Sequence, residues 1–244
     1  MAASDAGPGQ TQDKVDQGDD LGGVMGQIAR TLQQDHGDVP ATLDSITTAA
    51  VQTVPGTDWA GVSLVRGRRV SSEASTDVRV ADLDGLQTEA GEGPCLDALR
   101  KQETVLVGDF HAERRWPRFA AAAVQLGVGS SLSFQLFTDG DNLGALNLYA
   151  AEPFAFDDDA VVVGQVLAAH AAIALAAARQ ETNLRTAMDR RDLIGQAKGI
   201  LMERHRLTAA QAFSVLVEAS SHTNRKLFDV AEELTATGSM PAAD

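Results

Sequence analysis

Cysteine is almost missing from this chain of 244 residues: there is one, Cys95. A single thiol excludes an internal disulfide and any multi-cysteine metal site. His36, His111, His205 and His222 are scattered without ligand spacing, so neither a metal nor a cofactor is expected. There is no nucleophile-and-base pattern and no phosphate loop, so the chain reads as a non-enzyme. Long hydrophobic runs are lacking too: no uninterrupted apolar stretch of about 18 residues occurs. Residues 1–20 are polar and acidic, without the charged-then-apolar order of a signal peptide, which points to a soluble, cytoplasmic protein with no membrane partner.

Positive charge is the other deficit, with 20 Lys and Arg against 34 Asp and Glu and a net charge of −14. Such a balance ordinarily argues against a nucleic-acid partner, because non-specific binding depends on neutralising phosphates. The distribution reverses that inference. Between Leu184 and Lys226 stand eight basic residues (Arg185, Arg190, Arg191, Lys198, Arg204, Arg206, Arg225, Lys226) and four acidic ones (Asp189, Asp192, Glu203, Glu218). Residues 1–183 hold twelve basic and twenty-six acidic residues, so an acidic body precedes a basic tip. A merely solvated helix face is the plainer reading of that excess.

What is present is enough apolar content, 44%, to build one large or two small domains, and two are expected. Residues 1–20 lack periodicity and read as a disordered leader. Two amphipathic helical patterns follow to about Thr53, the second with Leu43, Ile46, Ala50 and Val54 at helical spacing. Ala60, Val62 and Leu64 then alternate as a strand, and Gly67 marks a hairpin into Val70–Ser75. A helical segment near Arg79–Thr88 leads to Gly93-Pro94, which has the grammar of a helix start. Glu103–Val107 is a short strand and Trp116–Leu126 a helix. Leu132, Phe134 and Leu136 alternate with Ser131, Ser133 and Gln135, and Asp139-Gly140 signals a hairpin into Leu143–Ala150. Strands joined by hairpins, with helices between, predict an α+β antiparallel sheet with flanking helices.

Residues 21–178 resemble a GAF domain, in the form carrying the Gly91-Glu92-Gly93-Pro94-Cys95 helix start and a closing Leu143-Gly144-Ala145-Leu146-Asn147-Leu148-Tyr149 strand. The resemblance implies a sensory or dimerising domain with a pocket for an unidentified small-molecule ligand, and no enzymatic activity follows from it. The Asn-Lys-Phe-Asp-Glu pattern of cyclic-nucleotide-binding members is not present in that form. Cys95 reads as a small buried residue or, alternatively, as a redox-sensing thiol.

Asp157, Asp158 and Asp159 open a helix with charges that suit its positive end. No Gly or Pro falls between Gln165 and Ile194, so the helix is expected to run to about His205. A 3-4 spaced seam passes through Val163, Val166, His170, Ile173, Ala177 and Leu184, predicting a coiled-coil-like connecting helix over 157–188 that pairs with a second copy in a homodimer. His170 is a register-setting polar position or a pH-sensitive one.

The seam delivers residues 189–206, DRRDLIGQAKGILMERHR. Leu193, Ile194, Ala197, Ile200 and Leu201 share one arc of roughly 120°. Arg191, Gly195, Lys198, Gly199, Met202 and Arg206 share the next. Two interior helix glycines cost roughly 1 kcal/mol each relative to alanine, so they serve either a tight helix crossing or the approach of a ligand backbone. Thr208 to Gln211 is a capping box opening a second helix, with Phe213, Leu216, Val217 and Ser220 on one side. Asn224 is expected to cap a third, with Leu227, Val230, Ala231 and Leu234 in register. The whole is an all-α three-helix tip.

From Met188 through Arg191-Asp-Leu-Ile-Gly-Gln-Ala-Lys-Gly-Ile-Leu-Met-Glu-Arg204, then Ala212-Phe213, Leu216, Ser220 and Thr223-Asn-Arg-Lys-Leu227 to Val230-Ala231, the chain resembles an ANTAR domain, expected over 184–238. That resemblance implies an RNA-binding transcription antiterminator that recognises paired stem-loops in nascent transcripts. Members commonly carry a phosphorylation receiver as input, and a GAF-like domain stands in its place here. Arg191, Gln196, Lys198, Gly199 and Arg206 on the first helix, with Thr223, Asn224, Arg225 and Lys226 at the start of the third, are the candidate RNA-binding residues. Gln196 reads equally as a solvated surface residue, and Asn224 as a helix cap. Few aromatics are available in the tip to stack on bases. The alternatives are a DNA-binding helix-turn-helix built on the second and third helices, with Glu232 and Glu233 poorly placed for phosphates, and a ligand-binding or dimerisation module that binds no nucleic acid.

Overall fold

The computed structural model describes residues 38–66, 69–101, 104–138 and 141–241, with isolated positions at Gly23, Gly26 and Arg30. The expected leader, most of the first helical pattern and the hairpin tips at Gly67 and Asp139-Gly140 lie outside these residues. The chain divides into two units, one reaching Arg179 and one starting at Gln180.

The first unit is built on α1 (Val39–Thr53), β1 (Trp59–Arg66), β2 (Arg69–Ser75), α2 (Val78–Ala90), α3 (Pro94–Lys101), β3 (Val105–Val107), α4 (Pro117–Gln125), β4 (Ser130–Thr138) and β5 (Asp141–Ala150). All strand pairs are antiparallel, in the order β2-β1-β5-β4-β3. Strand alternation sends Ala60, Val62, Leu64, Leu132, Phe134, Leu146 and Leu148 to one face, where they are buried against Leu43, Ile46 and Ala50 of α1. The opposite face carries Tyr149 and is covered by Val80 and Leu83 of α2, Ala98 of α3 and Phe119, Ala120 and Ala123 of α4. This is the expected α+β sheet with flanking helices.

One helix, α5 (Asp158–His205), crosses the division between the units. Asp157 accepts from the Ala160 amide (2.9 Å), and Asp158 and Asp159 occupy the first turn, as the acidic start predicts. Its first half buries Ala160, Leu167, Ala168, Ala171, Ala172 and Leu175 against the first apolar face of the sheet. Gly164 is required there, because a Cβ would lie 2.3 Å from the Phe134 ring. This half also holds an 18-residue window of mean hydropathy 2.0, 39% of it buried within the protein. Gly164, Gln165 and His170 interrupt the run, and Leu167, Ala168, Ala171, Ala172 and Leu175 within it pack on the sheet.

The second unit gathers the C-terminal part of α5 with α6 (Ala209–Thr223) and α7 (Leu227–Thr237). Its core is Ala197, Leu201, Ala212, Leu216, Val230, Ala231 and Leu234, with Ile194, Ile200, Val215, Ala219 and Leu227 packed around it. The apolar arc of the first helix therefore faces inward. The Thr208–Gln211 capping box is fully formed, and Arg204 donates to the Gly238 carbonyl, fastening the first helix to the end of the third.

Two local expectations are corrected. Phe213 and Val217 do not lie on the core side of α6; both are exposed, and the buried face is Ala212, Val215, Leu216 and Ala219. Small residues at 212 and 219 let the helices approach, which turns the bulkier Phe213 outward. Asn224 does not cap α7. It is the left-handed C-cap of α6 (φ 51°), its amide donating to the Ser220 carbonyl, and Lys226 stands at the N-cap of α7 without a side-chain cap.

Candidate nucleic-acid interface

The helical period of α5 places Arg191, Gly195 and Lys198 one turn apart, on the side away from the core residues Ala197 and Leu201. Together with Ala187, Arg190, Ile194 and Phe213 of α6 they line an open groove of about 540 Å³. Neither Arg191 nor Lys198 makes an ion pair among the described residues, so both cations are available to an anion. Arg190 has its guanidinium 5.6 Å from the centre of the Phe228 ring, which holds a third cation at the rim. A Cβ placed on Gly195 or Gly199 meets nothing within 4 Å. The glycines therefore do not serve a tight helix crossing within this unit; they leave bare backbone at the surface.

The other expected RNA-binding residues are distributed differently. Gln196 and Gly199 are exposed on α5 but outside the groove lining. Arg206 follows the last residue of α5 in left-handed conformation (φ 54°), so it leaves the helical face on which its spacing had placed it. Thr223 closes α6 with its hydroxyl donating to the Ala219 carbonyl (2.8 Å). Arg225 is paired with Glu233 and its amide donates to the Ser220 carbonyl, so its charge is largely occupied. Lys226 is exposed, and Asp229 in the first turn of α7 supplies the anion that the amide groups there would attract. Arg191, Gly195 and Lys198 are thus assembled with two residues not expected, Arg190 and Phe213. The Phe213 signal was present in its neighbours: Ala212 and Leu216 already fill the core side of α6.

On the connecting helix Ile173 (65%), Ala177 and Leu184 are exposed, whereas Val163, Val166 and His170 are half-buried. His170 Nδ1 lies 2.9 Å from the Val166 carbonyl, within its own helix.

The first unit holds a buried polar cluster on the sheet face opposite α1. Strand register brings Ser133 beside Asn147 and Ser131 beside Tyr149. Ser63 donates to Asp84 of α2 (2.9 Å), and Asn147 donates to Ser63 (3.1 Å). Burial pushes the Asp84 carboxyl above the usual range, opposed by hydrogen bonds from Ser72 and Ser63. Gly93, at φ 140°, brings the start of α3 against Gln87, whose carbonyl accepts from the Cys95 amide (2.9 Å). Cys95 is 2% exposed, and burial, with the Asp84 charge second, pushes its thiol up to about 12. That direction opposes thiolate formation and favours the buried-residue reading over the redox one. The Ser133 hydroxyl and the Asn147 side-chain carbonyl are left without hydrogen-bond partners among the described residues. Unmet buried polarity of this kind suits a small polar guest or bound water.

Residues 36–176 match the GAF domain family, and residues 182–234 match the ANTAR domain family. No curated protein is significantly similar in sequence. Among solved structures, a GAF sensor protein from Burkholderia vietnamiensis is similar at 16% identity over 68% of this chain and 98% of that one, with a TM-score of 0.51. The GAF domain of a phosphoenolpyruvate-protein phosphotransferase from Coxiella burnetii is similar at 17% identity over 66% and 96%, with a TM-score of 0.52. Free methionine-R-sulfoxide reductase from Neisseria meningitidis is similar at 22% identity over 66% and 90%, with a TM-score of 0.51. At these identities the likeness is one of fold.

Proposed function

The chain belongs to the GAF domain family and continues into an ANTAR domain, the arrangement of a GAF-regulated member of a family of RNA-binding antiterminators, and we propose that it binds paired stem-loops in nascent transcripts and so prevents terminator formation. The observation that carries this reading is the groove on α5. Arg191 and Lys198 stand unpaired beside the bare backbone of Gly195, in a protein that is otherwise acidic. Loops and splayed nucleotides offer phosphates and bases to such a shallow surface, whereas duplex DNA asks for a helix that enters the major groove. The DNA-binding alternative is disfavoured because α7 carries Glu232 and Glu233, and Arg225 beside it is already paired with Glu233.

The seam of Val163, Val166, His170, Ile173, Ala177 and Leu184 pairs two chains, so that one assembly engages two stem-loops. Avidity then supplies affinity that a few cations per tip do not. The polar cluster around Asp84 and Tyr149 receives the signal, and the assembly works in the cytoplasm, where transcripts emerge. No catalytic step enters this scheme. Crosslinking the protein to RNA in cells and sequencing the bound fragments tests it: adjacent stem-loops upstream of terminators are expected. Recovery of no RNA above a Lys198→Ala, Arg191→Ala control would refute it.

A further inference from the structure

Phe213 is 42% exposed although Ala212, Val215, Leu216 and Ala219 already give α6 its core face. Leaving an aromatic ring in water forgoes the favourable burial that Leu216 of the same helix obtains. Its position is specific: the ring shares one groove with Arg190, Arg191, Lys198 and Gly195, flanked by the apolar edge of Ile194. We infer that this groove holds one unpaired nucleotide of the stem-loop, its base stacked on Phe213 and its phosphates on Arg191 and Lys198.

Three observations select that occupant. The unpaired cations call for an anion, which complements a groove rimmed by positive charge. The ring offers a π-face, which an acidic peptide does not need and which a base uses; in a duplex the base faces are covered by their neighbours. The missing Cβ at Gly195, with nothing within 4 Å of its place, lets a phosphodiester backbone come against the helix. At about 540 Å³ the groove falls within the ~300–1,000 Å³ of small-ligand sites, room for a nucleotide. The inference rests on the RNA reading and sharpens it: recognition passes through a splayed base, with Phe213 as the stacking platform.

The test uses the full chain and hairpin RNAs selected for binding to it from a pool with randomised loops. In the tightest hairpin each loop nucleotide is replaced in turn by an abasic ribose. Stacking losses for one base run to roughly tenfold or more in affinity. One loop position is expected to show that loss with the wild-type chain and none with Phe213→Ala, while Phe213→Tyr retains wild-type affinity. 2-Aminopurine at that position should be quenched on binding by the wild type and not by Phe213→Ala. A loop without any sensitive position, or Phe213→Ala binding within twofold of wild type while Lys198→Ala binds poorly, overturns the stacking inference and leaves the RNA reading standing. Failure to select any hairpin over duplex DNA overturns both.

Discussion

Lys198 and Arg225 are both basic residues of the tip, but only Lys198 has its charge free among the described residues, since Arg225 is paired with Glu233. Lys198→Ala is therefore expected to weaken RNA binding about tenfold, the scale of one charge-assisted contact. Arg225→Ala is expected to change affinity by less than about threefold, and titrations of each variant with one selected hairpin compare them. In the GAF domain, burial holds the Asp84 carboxyl pKa above its unfolded value. Below the ordinary carboxylate range both states are protonated and nothing is lost. As pH rises through that range toward the raised native value, the unfolded state releases a proton that the native state keeps, and stability falls. Cys95, at about 12, and Tyr149, which burial raises well above its ordinary range, do not titrate in that window. Asp84→Asn should lose less stability than wild type between pH 4 and 8 in thermal unfolding; parallel curves would mean that the carboxyl titrates normally.

At the scale of elements, α5 joins three properties in one helix: an inner face on the sheet, an exposed stretch with Ile173, Ala177 and Leu184, and a groove in the second unit. The inner and core-facing stripes were legible in the sequence because burial imposes a 3.6-residue period, and Ala197, Leu201, Val230 and Leu234 fall on it. Three features of the site were not. Phe213 was grouped with the core because an apolar residue at helical spacing reads as buried, and only the smaller Ala212 and Ala219 show which way α6 is turned. Asn224 was assigned to the wrong helix end, because a residue that favours N-caps also tolerates the left-handed backbone of a C-cap. Arg206 was carried along a wheel that ends one residue earlier. The glycines could be settled only by their surroundings. With open space around Gly195 and Gly199, alanine at either is expected to stabilise the tip by about 0.5–1 kcal/mol. The same substitutions should weaken RNA binding at Gly195, where the groove lies. Lower melting temperatures would restore the packing role.

For the molecule as a whole, negative charge is concentrated before residue 184, and the stretch from Leu184 to Lys226, with eight basic and four acidic residues, is where an anionic partner is least repelled. Pairing through α5 is expected to depend on the exposed Ile173. Ile173→Glu should shift the protein toward monomer in analytical ultracentrifugation and lower affinity for an RNA with two stem-loops far more than for one with a single stem-loop; equal losses would remove avidity from the scheme. The most direct measurement is the salt dependence of binding by the full chain to a two-stem-loop RNA and to duplex DNA of equal length. Wild type is expected to prefer the RNA at every salt concentration, and Lys198→Ala to lower both the affinity and the salt slope, the latter by about 1. Equal binding of RNA and DNA, or an unchanged slope in Lys198→Ala, would contradict the placement of RNA in the α5 groove.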